Sequence, residues 1–197
     1  DRVVISLAAD ALHLVLLAAG AATRFGSAKQ AALYHGQPLL QRMLERAHAV
    51  AGSAVSVVLG AHAEALLPLV SSADASVLIN HNWQEGIASS IRLSIERLPL
   101  GCDGVLLLLA DQVQVSTEDL ARLAAVWRQQ SHFAVAAEFE GRIGAPAIFP
   151  RAAFPELLQL RGDRGAQIWL RANAERVLTV PMPSASVDID TPSDLER

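Results

Sequence analysis

Residues 14–29 of the chain read LVLLAAGAATRFGSAK. The stretch opens with a continuous apolar run, Leu14–Ala18, which predicts a strand buried on both faces, as the strands of parallel sheets are. The glycines and alanines after it allow backbone N–H groups to approach an anion closely, and Arg24 and Lys29 can bind phosphate oxygens. The stretch therefore predicts a strand that leads into a phosphate-binding loop. The alternative is an ordinary strand-to-helix turn that carries two solvated cations.

The same alternation of apolar runs and amphipathic segments continues along the chain. Runs rich in Val, Leu and Ile predict further strands at Val55–Leu59, Val77–Asn80, Val105–Ala110, Phe133–Ala137, Ala147–Phe149 and Arg176–Val180. The segments between them predict helices at Pro38–Val50, Ala61–Val70, Gly86–Leu98, Ser116–Gln130, Arg151–Leu160 and Gly165–Ala172. This order predicts a three-layer α/β fold with a mostly parallel central sheet. Because ligands of such sheets bind beyond the carboxyl ends of the strands, we expect the site in the loops that follow them.

Length and composition exclude several classes of protein. The chain has 197 residues, which predicts a single domain over residues 12–197, preceded by an extension of unknown role at residues 1–11. A net charge of −4 and an aromatic content of 5% argue against binding to nucleic acid polymers. Cys102 is the only cysteine, which excludes an internal disulfide and fits a cytoplasmic location. The longest apolar run, Val105–Ala110, is far too short to span a membrane.

Carboxylates stand at two places where a metal ion could bind. Asp111 directly follows the run Val105–Ala110, and a carboxylate at the carboxyl end of a buried strand is well placed to hold Mg²⁺ near a triphosphate. A turn or helix-capping role for Asp111 is equally consistent with its position. Asp188 and Asp190 would point to the same side of an extended segment and repel each other unless a cation compensates. The alternative there is that Asp190 caps the turn after it.

Other polar residues lie at predicted helix starts. Gly86, Ser89 and Ser90 precede or open a helix, where hydroxyls and free N–H groups can contact a nucleotide or cap the helix. Asp163 is interpreted as the cap of the helix that follows it. Asp103 comes before its strand, at the edge of the sheet away from the expected site.

The quoted loop resembles the LAAGxxxRxGxxK signature of the MobA-like nucleotidyltransferases, and in particular the molybdenum cofactor cytidylyltransferase branch. The resemblance continues in family order through GQPLL at 36–40, NW at 82–83 with Gly86 and SS at 89–90, ADQ at 110–112, GAP at 144–146, GDRGA at 162–166 and DIDTP at 188–192. It implies a Rossmann-like nucleotidyltransferase fold, in agreement with the strand and helix pattern. Val113 replaces a usual proline, and Gln167 replaces a usual arginine, so that the arginine's contact cannot be carried over.

The resemblance also implies roles for particular residues. Asp111 would hold Mg²⁺, or Mn²⁺, and Asp188 and Asp190 would complete the metal site. The catalytic residues would be Arg24, Lys29 and Asp111. The nucleotide-binding residues would be Leu17, Ala18, Ala19, Gly20, Arg24, Gly26, Lys29, Gly86, Ser89 and Ser90. The resemblance also implies a choice of base, because Ala19 stands where the similar guanylyltransferase branch has glycine. The methyl group of Ala19 would narrow the pocket in favour of cytosine. One methyl group discriminates between bases by only about 1–3 kcal/mol.

The implied reaction is transfer of CMP from CTP to the terminal phosphate of molybdopterin, with release of pyrophosphate. The implied partners are CTP, a molybdopterin-type acceptor, and a molybdoenzyme apoprotein or its chaperone; neither a nucleic acid polymer nor a membrane is expected. Two alternatives remain open on the sequence. One is the same chemistry on a sugar phosphate or alcohol phosphate. The other, of a different class, is a non-catalytic carrier of a molybdopterin nucleotide.

Overall fold

A computed structural model describes residues 11–71 and 73–196, with a seven-stranded sheet between two layers of helices. The strands are β1 (Leu12–Ala18), β2 (Leu33–Tyr34), β3 (Gln37–Pro38), β4 (Val55–Leu59), β5 (Ser76–Ile79), β6 (Gly104–Leu109), β7 (Ala134–Phe139), β8 (Arg142–Pro150) and β9 (Val177–Pro181). The helices are α1 (Leu39–Ala51), α2 (Ala63–Val70), α3 (Ile87–Glu96), α4 (Thr117–Gln129), α5 (Phe154–Leu157) and α6 (Gln167–Ala172). The predicted α/β fold is therefore confirmed.

The central sheet has the strand order β5-β4-β1-β6-β8-β7-β9. β1 lies parallel to both of its neighbours, with Leu16 beside Val57 of β4 and Leu108 of β6. Only β8 runs against its neighbours in this sheet. The reversal follows from the turn at Glu140 and Gly141, whose φ angles of 50° and 70° suit a tight hairpin. The sheet is mostly parallel, as predicted.

Side chains of β1 alternate between two buried faces. Leu14, Leu16 and Ala18 pack in a core with α1, α2 and α4, whereas Val15 and Leu17 pack in a second core with α3, α5 and α6. Because both faces are covered, the strand is apolar at every position rather than at every second one. β1 is thus the centre of the three layers, and its carboxyl end opens into the glycine loop.

Two short elements differ from the sequence-based predictions. The region 151–160 was expected to form one helix, but it contains a 3₁₀ turn at Arg151–Ala153 and the single-turn helix α5. Pro155 explains the break, because proline fits the first turn of a helix but not its interior. The small β2–β3 hairpin was not predicted, because two-residue strands leave no periodic pattern.

The predicted extension at residues 1–11 lies outside the described residues except for Ala11, and the single-domain organisation stays a prediction. Within residues 11–71 and 73–196, no helix combines the length and the apolar character that crossing a bilayer requires.

Candidate active site

Three segments that are distant in the sequence meet at the carboxyl edge of β1 and β6. Lys29 Nζ donates to Asp111 Oδ2 at 2.8 Å and to the carbonyl oxygen of Ile189 at 2.8 Å. It also lies 3.3 Å from Asp190 Oδ1. The glycine loop follows β1, and Asp111 follows the neighbouring strand β6, so the parallel pairing of the two strands brings cation and carboxylate together. The structure thus brings Lys29, Asp111 and Asp190 together, and the roles expected of them stay predictions.

The ion pair between Lys29 and Asp111 is largely withdrawn from water. The side chains of Lys29 and Asp111 are 14% and 22% exposed, whereas that of Asp190 is 51% exposed. Burial alone would lower the pKa of Lys29, but the two carboxylates outweigh it and raise that pKa above its ordinary value. Lys29 is therefore positively charged at neutral pH. It is also the only lysine in the sequence.

Asp188 lies beside this cluster and is harder to ionise than an ordinary aspartate. Nearby protein atoms remove part of the hydration of its carboxylate, and Asp111 and Asp190 repel its charge. Together these effects raise the pKa of Asp188 to about 6. A cation brought close to Asp188 would favour its charged form.

The carboxylates are suited to a metal ion that arrives with a nucleotide. Asp111 Oδ1 is buried and has no hydrogen-bond partner in the structure, while Oδ2 is occupied by Lys29. Among the residues that the structure describes, no three His, Cys, Asp or Glu side chains form a ready-made metal site. Mg²⁺ does not need one, because it commonly binds through one or two carboxylates, water and the phosphates of a substrate. The donor set at Asp111 fits that mode of binding.

The turn after Asp111 is held by backbone hydrogen bonds. The carbonyl oxygen of Asp111 accepts from Val113 N at 2.9 Å and from Ile189 N at 3.2 Å. Arg46 of α1 donates to the carbonyl oxygen of Val113 at 2.7 Å and also to that of Val115. A proline at position 113 could not donate the first of these bonds. Val113 therefore closes the turn through its N–H group, while the carbonyl oxygen of Asp111 also ties the turn to the second acidic segment through Ile189 N.

A first cavity of about 550 Å³ opens beside Lys29 and Asp111. It brings together eight of the residues predicted for the site: Leu17, Ala18, Ala19, Gly20, Lys29, Gly86, Ser90 and Asp111. Gln30 also lines it, and Gln30 Nε2 donates to the carbonyl oxygens of Ala18 at 3.1 Å and Gly20 at 3.2 Å. These bonds fix the start of the glycine loop. Gln30 was not predicted from the sequence, because a single glutamine after a loop is not a pattern.

Hydrogen-bond directions around Asn80 separate the two predicted serines. Asn80 Oδ1 accepts from Asn82 N, so Nδ2 donates to Ser89 Oγ at 2.8 Å and to Ser90 Oγ at 2.9 Å. Ser89 in turn donates to the carbonyl oxygen of Gly86 at 2.8 Å and does not line the cavity. Ser90 does line it, and its hydroxyl proton has no acceptor within the described residues. Of these two serines, Ser90 is therefore the one whose hydroxyl can donate to a ligand in the first cavity.

A second cavity of about 1030 Å³ adjoins the first, and the two share Leu17, Ile87, Leu109 and Asp163. Apolar and cationic side chains both line it, among them Phe139, Phe149, Arg142, Arg164 and Arg171. Gln112 joins two of its walls, because Nε2 donates to the carbonyl oxygens of Ala145 at 2.8 Å and Ala185 at 3.1 Å. The cavity suits a ligand with an apolar body and an anionic group.

Some predicted residues lie apart from the first cavity. Arg24 is 79% exposed and lies 3.5 Å from Asp190, and neither Arg24 nor Gly26 belongs to the lining of either cavity. Asp188 lines the second cavity. The roles predicted for these residues stay predictions.

The capping role predicted for Asp163 is wrong, and so is the alternative that Asp190 caps a turn. Asp163 does not cap a helix: α6 begins at Gln167, and its N-cap, Ala166, makes no side-chain capping bond. Asp163 instead lines both cavities, and a glycine-rich turn is a poor guide to such a position. Asp190 does not cap the turn at 191–194 either, because the carboxylate that accepts from Asp190 N, at 3.1 Å, and Thr191 N, at 2.8 Å, belongs to Asp194.

Known proteins resemble this chain over most of its length. It is 29% identical over 192 residues to nicotine blue oxidoreductase of Paenarthrobacter nicotinovorans, which covers 93% of this chain and 94% of that protein. It is 31% identical over 125 residues to the purine catabolism protein PucB of Bacillus subtilis, covering 61% of this chain and 60% of PucB. Each is a protein that this chain resembles, and their names describe different processes.

A solved structure has the same fold. The crystal structure of Rv0371c from Mycobacterium tuberculosis matches with a TM-score of 0.78 and 28% identity, covering 94% of this chain and 96% of that one. Another structure of Rv0371c is a complex with manganese.

The family model for the MobA-like NTP transferase domain matches residues 14–177. That region contains most of β1, the glycine loop, Asp111 and most of the residues that line the two cavities. Sequence, fold and site geometry therefore agree that the chain belongs to the family of MobA-like NTP transferase domains.

Proposed function

We propose that this chain transfers CMP from CTP to the terminal phosphate of molybdopterin that carries molybdenum, with release of pyrophosphate. The observation that carries the proposal is the meeting of Lys29 with Asp111 where the two cavities adjoin: Asp111 lines the first cavity, and its neighbour Gln112 lines the second. A cation and carboxylates at such a junction can hold two ligands in line and neutralise charge during transfer.

CTP would occupy the first cavity, with its triphosphate toward Lys29 and the glycine loop. Lys29 is the only lysine or arginine among the residues described as lining this cavity. Arg24 lies outside the lining, but its exposed side chain can turn from Asp190 toward the β- and γ-phosphates. The single cysteine is compatible with a cytoplasmic location for this reaction.

The chemistry requires positioning and charge neutralisation rather than a protein nucleophile. An oxygen of the acceptor phosphate forms a bond to the α-phosphorus while the bond from that phosphorus to its bridging oxygen breaks, and pyrophosphate leaves with the electron pair. The acceptor oxygen is already anionic, so a strong general base is unnecessary. Lys29 would stabilise the charge on the α-phosphoryl oxygens, and its largely buried position strengthens that interaction.

A divalent cation, Mg²⁺ or Mn²⁺, would be held by Asp111 together with Asp188 or Asp190. The unpartnered Oδ1 atom of Asp111 supports this assignment, as does the manganese complex of the similar protein Rv0371c. When bound, such a cation supplies positive charge to the phosphate oxygens. Lys29 would then exchange part of its bonding to the carboxylates for bonding to phosphate.

The positions of Ala19 and Trp83 in the lining of the first cavity support a pyrimidine. A Cβ added to Gly60 would meet the Ala19 methyl carbon at 2.9 Å and Trp83 Cβ at 2.8 Å. Ala19 and Trp83 therefore occupy neighbouring space over Gly60, and both line the cavity. The methyl group of Ala19 would limit the approach of Trp83 and so set the space left for the base. One methyl group discriminates by only about 1–3 kcal/mol, so other contacts must contribute.

The second cavity would take the acceptor. The partly exposed Phe139 suits the flat ring system of a pterin, and Arg142, Arg164 and Arg171 suit its phosphate. This aromatic wall favours molybdopterin over a sugar phosphate or alcohol phosphate. A molybdoenzyme apoprotein or its chaperone would receive the product. The pairing of Lys29 with Asp111 argues against a non-catalytic carrier, which has no need of a charged centre between two cavities.

The relative named nicotine blue oxidoreductase favours a second candidate of another class, an oxidoreductase. The similarity covers nearly the whole of both chains, so the same two cavities could hold a redox nucleotide and an oxidisable or reducible ligand. The ion-paired centre at Lys29 and Asp111 is the feature that a transferase needs and an oxidoreductase does not.

The proposal is tested by measuring pyrophosphate release with Mg²⁺, each nucleoside triphosphate in turn, and molybdopterin that carries molybdenum. Asp111→Asn should abolish release. Asp103→Asn is the matched control, because Asp103 precedes β6 at the opposite edge and pairs with Arg151; it should retain full activity. Absence of release with every acceptor, together with tight binding of the product, would replace this proposal with the carrier. Oxidation of a nicotinamide nucleotide without pyrophosphate release would replace it with the oxidoreductase.

A further inference from the structure

Asp163 is a carboxylate that the reaction described above does not use. It lies in the turn at 162–165, lines both cavities and is exposed to solvent. Within residues 11–71 and 73–196 it makes no hydrogen bond and no ion pair. An ionised carboxylate accepts hydrogen bonds and cannot donate them, so a ligand that bonds to Asp163 must supply a donor.

The position of Asp163 is fixed by its contact with the start of α3. The φ angle of Gly86 is 99°, which favours glycine, and a Cβ at this position would collide with Asp163 Oδ1 and with the backbone of Gly162. The carbonyl oxygen of Gly162 accepts from Ala88 N at 3.1 Å, which fastens the turn to the first turn of α3. The carboxylate is therefore presented to the cavities by two segments that hold each other in place.

The distribution of charge indicates which part of a nucleotide lies beside Asp163. The wall of the first cavity formed by Trp83, Gln84, Gly86, Ile87 and Ser90 contains no cation, in contrast to the wall with Lys29. A triphosphate would be attracted to Lys29 and repelled by Asp163. The nucleoside, which is uncharged, is therefore the part that fits against the Asp163 wall.

The shared position of Asp163 selects the ribose within the nucleoside. Asp163 belongs to the linings of both cavities, and the acceptor must reach the α-phosphorus at their junction. The ribose is bonded directly to the α-phosphate, whereas the base is one sugar further away. The donors that lie near the junction are consequently the ribose hydroxyls, while Ser90 is left to contact the base.

We propose that Asp163 accepts a hydrogen bond from a ribose hydroxyl of the bound nucleotide and thereby selects ribonucleotides over deoxyribonucleotides. The proposal rests on the assignment of the first cavity to CTP. It makes Asp163 a specificity-determining residue that contacts substrate directly.

The test is equilibrium binding by calorimetry, in the presence of Mg²⁺, of CTP, 2′-deoxy-CTP and 3′-deoxy-CTP. The wild-type protein should bind CTP at least about tenfold more tightly than one of the deoxy analogues, because a hydrogen bond to a charged group is lost. Asp163→Ala should remove that preference by weakening CTP and the analogue that keeps the contacted hydroxyl, while leaving the analogue that lacks it unchanged. Asp163→Asn, which keeps one acceptor oxygen, should retain part of the preference. Asp103→Ala is the matched control and should bind all three nucleotides as the wild type does.

Several outcomes would overturn the proposal. A ratio of CTP to deoxy-CTP affinity that is the same in Asp163→Ala and in the wild type means that another residue senses the ribose. An equal weakening of all three nucleotides means that Asp163 only supports the loop or contacts the base. Either result leaves CTP binding, and with it the proposed function, intact. A wild-type protein that binds no CTP overturns both.

Discussion

Replacing Lys29 by methionine should destabilise the metal-free protein and abolish transfer, and the two effects should respond differently to metal ions. Lys29→Met removes the ammonium group while keeping most of the apolar stem. The bonds lost are those to Asp111 and the carbonyl oxygen of Ile189, both at 2.8 Å, and the longer one to Asp190 at 3.3 Å. Asp190 is half exposed, so its share is small.

The magnitude follows from the burial of the pair. Hydrogen bonds to charged groups contribute about 1.5–3 kcal/mol each, but part of this is offset because the freed Asp111 carboxylate regains some hydration. A net loss of about 2 kcal/mol is expected, which corresponds to a decrease in Tm of about 4–8 °C for a chain of this size. Because Lys29 is the only lysine, no other lysine is available to take its place.

The assay is thermal unfolding with a chelator and then with increasing Mn²⁺ or Mg²⁺, alongside pyrophosphate release. Metal ions should reduce the stability deficit, because a divalent cation replaces the missing positive charge between the carboxylates, but they should not restore transfer. Arg97→Met is the control for loss of one exposed positive charge at the end of α3 and should change neither quantity. Full transfer activity in Lys29→Met would refute the proposed role, and a deficit that metal ions leave unchanged would refute the proposed metal site.

Three further predictions address single groups. The pKa of Asp188 is raised to about 6 in the folded protein, against an ordinary 3.8. Its ionised form therefore lowers the free energy of unfolding above about pH 6, and this cost disappears below about pH 4. After allowance for solvent screening, Asp188→Asn should raise the free energy of unfolding of the metal-free protein, measured in urea, by about 1 kcal/mol at pH 7.5 and leave it unchanged at pH 4. Ser90→Ala should weaken CTP binding, measured by calorimetry, about tenfold, because a hydrogen-bond donor is removed. Ser89→Ala should instead lower Tm, because it removes the bonds of Ser89 to Asn80 and Gly86. Weaker CTP binding in Ser89→Ala together with a lower Tm in Ser90→Ala would contradict the hydrogen-bond directions described. Ala19→Gly should lower the ratio of CTP to GTP activity, and an unchanged ratio would remove the proposed link between Ala19 and base choice.

The residues at the centre of the site could be predicted from the sequence because they follow predicted strands. β1 and β6 are strongly apolar, and charged residues follow both: Lys29 lies in the loop after β1, and Asp111 lies shortly after β6. The sequence did not predict that β1 and β6 are neighbours; their parallel pairing in the structure brings Lys29 and Asp111 together. The three-layer fold could be predicted, since continuous apolar runs indicate strands that are covered on both faces.

The remaining features depend on contacts between segments that no local pattern connects. The second cavity combines residues of β8, α6 and the segment before Asp188, and Gln112 joins two of its walls through backbone carbonyl groups. The position of Asp163 depends on its contact with Gly86, which is visible only in three dimensions. Gln112 bonds to backbone carbonyl oxygens, and Gly86 packs partly against the backbone of Gly162. The identity of a side chain does not reveal where such a distant backbone group lies.

Substitution at Val113 illustrates a related limit. The missing proline suggested a changed turn, but Val113 N–H donates to the carbonyl oxygen of Asp111, and Arg46 donates to that of Val113. The turn that carries the Asp111 carboxylate is closed by an N–H bond that a proline at position 113 could not make. A departure from a family motif is therefore informative only together with the bonds that replace the motif residue.

We propose that Lys29 and Asp111 form the centre of a cytidylyl transfer between two adjoining cavities. The most direct test is release of pyrophosphate from CTP with Mg²⁺ and molybdopterin that carries molybdenum, measured for the wild type and for Asp111→Asn. We expect stoichiometric pyrophosphate and a CMP-linked product from the wild type and neither from the variant. Equal release from both proteins, or release from neither with every acceptor and nucleotide, would contradict the proposal.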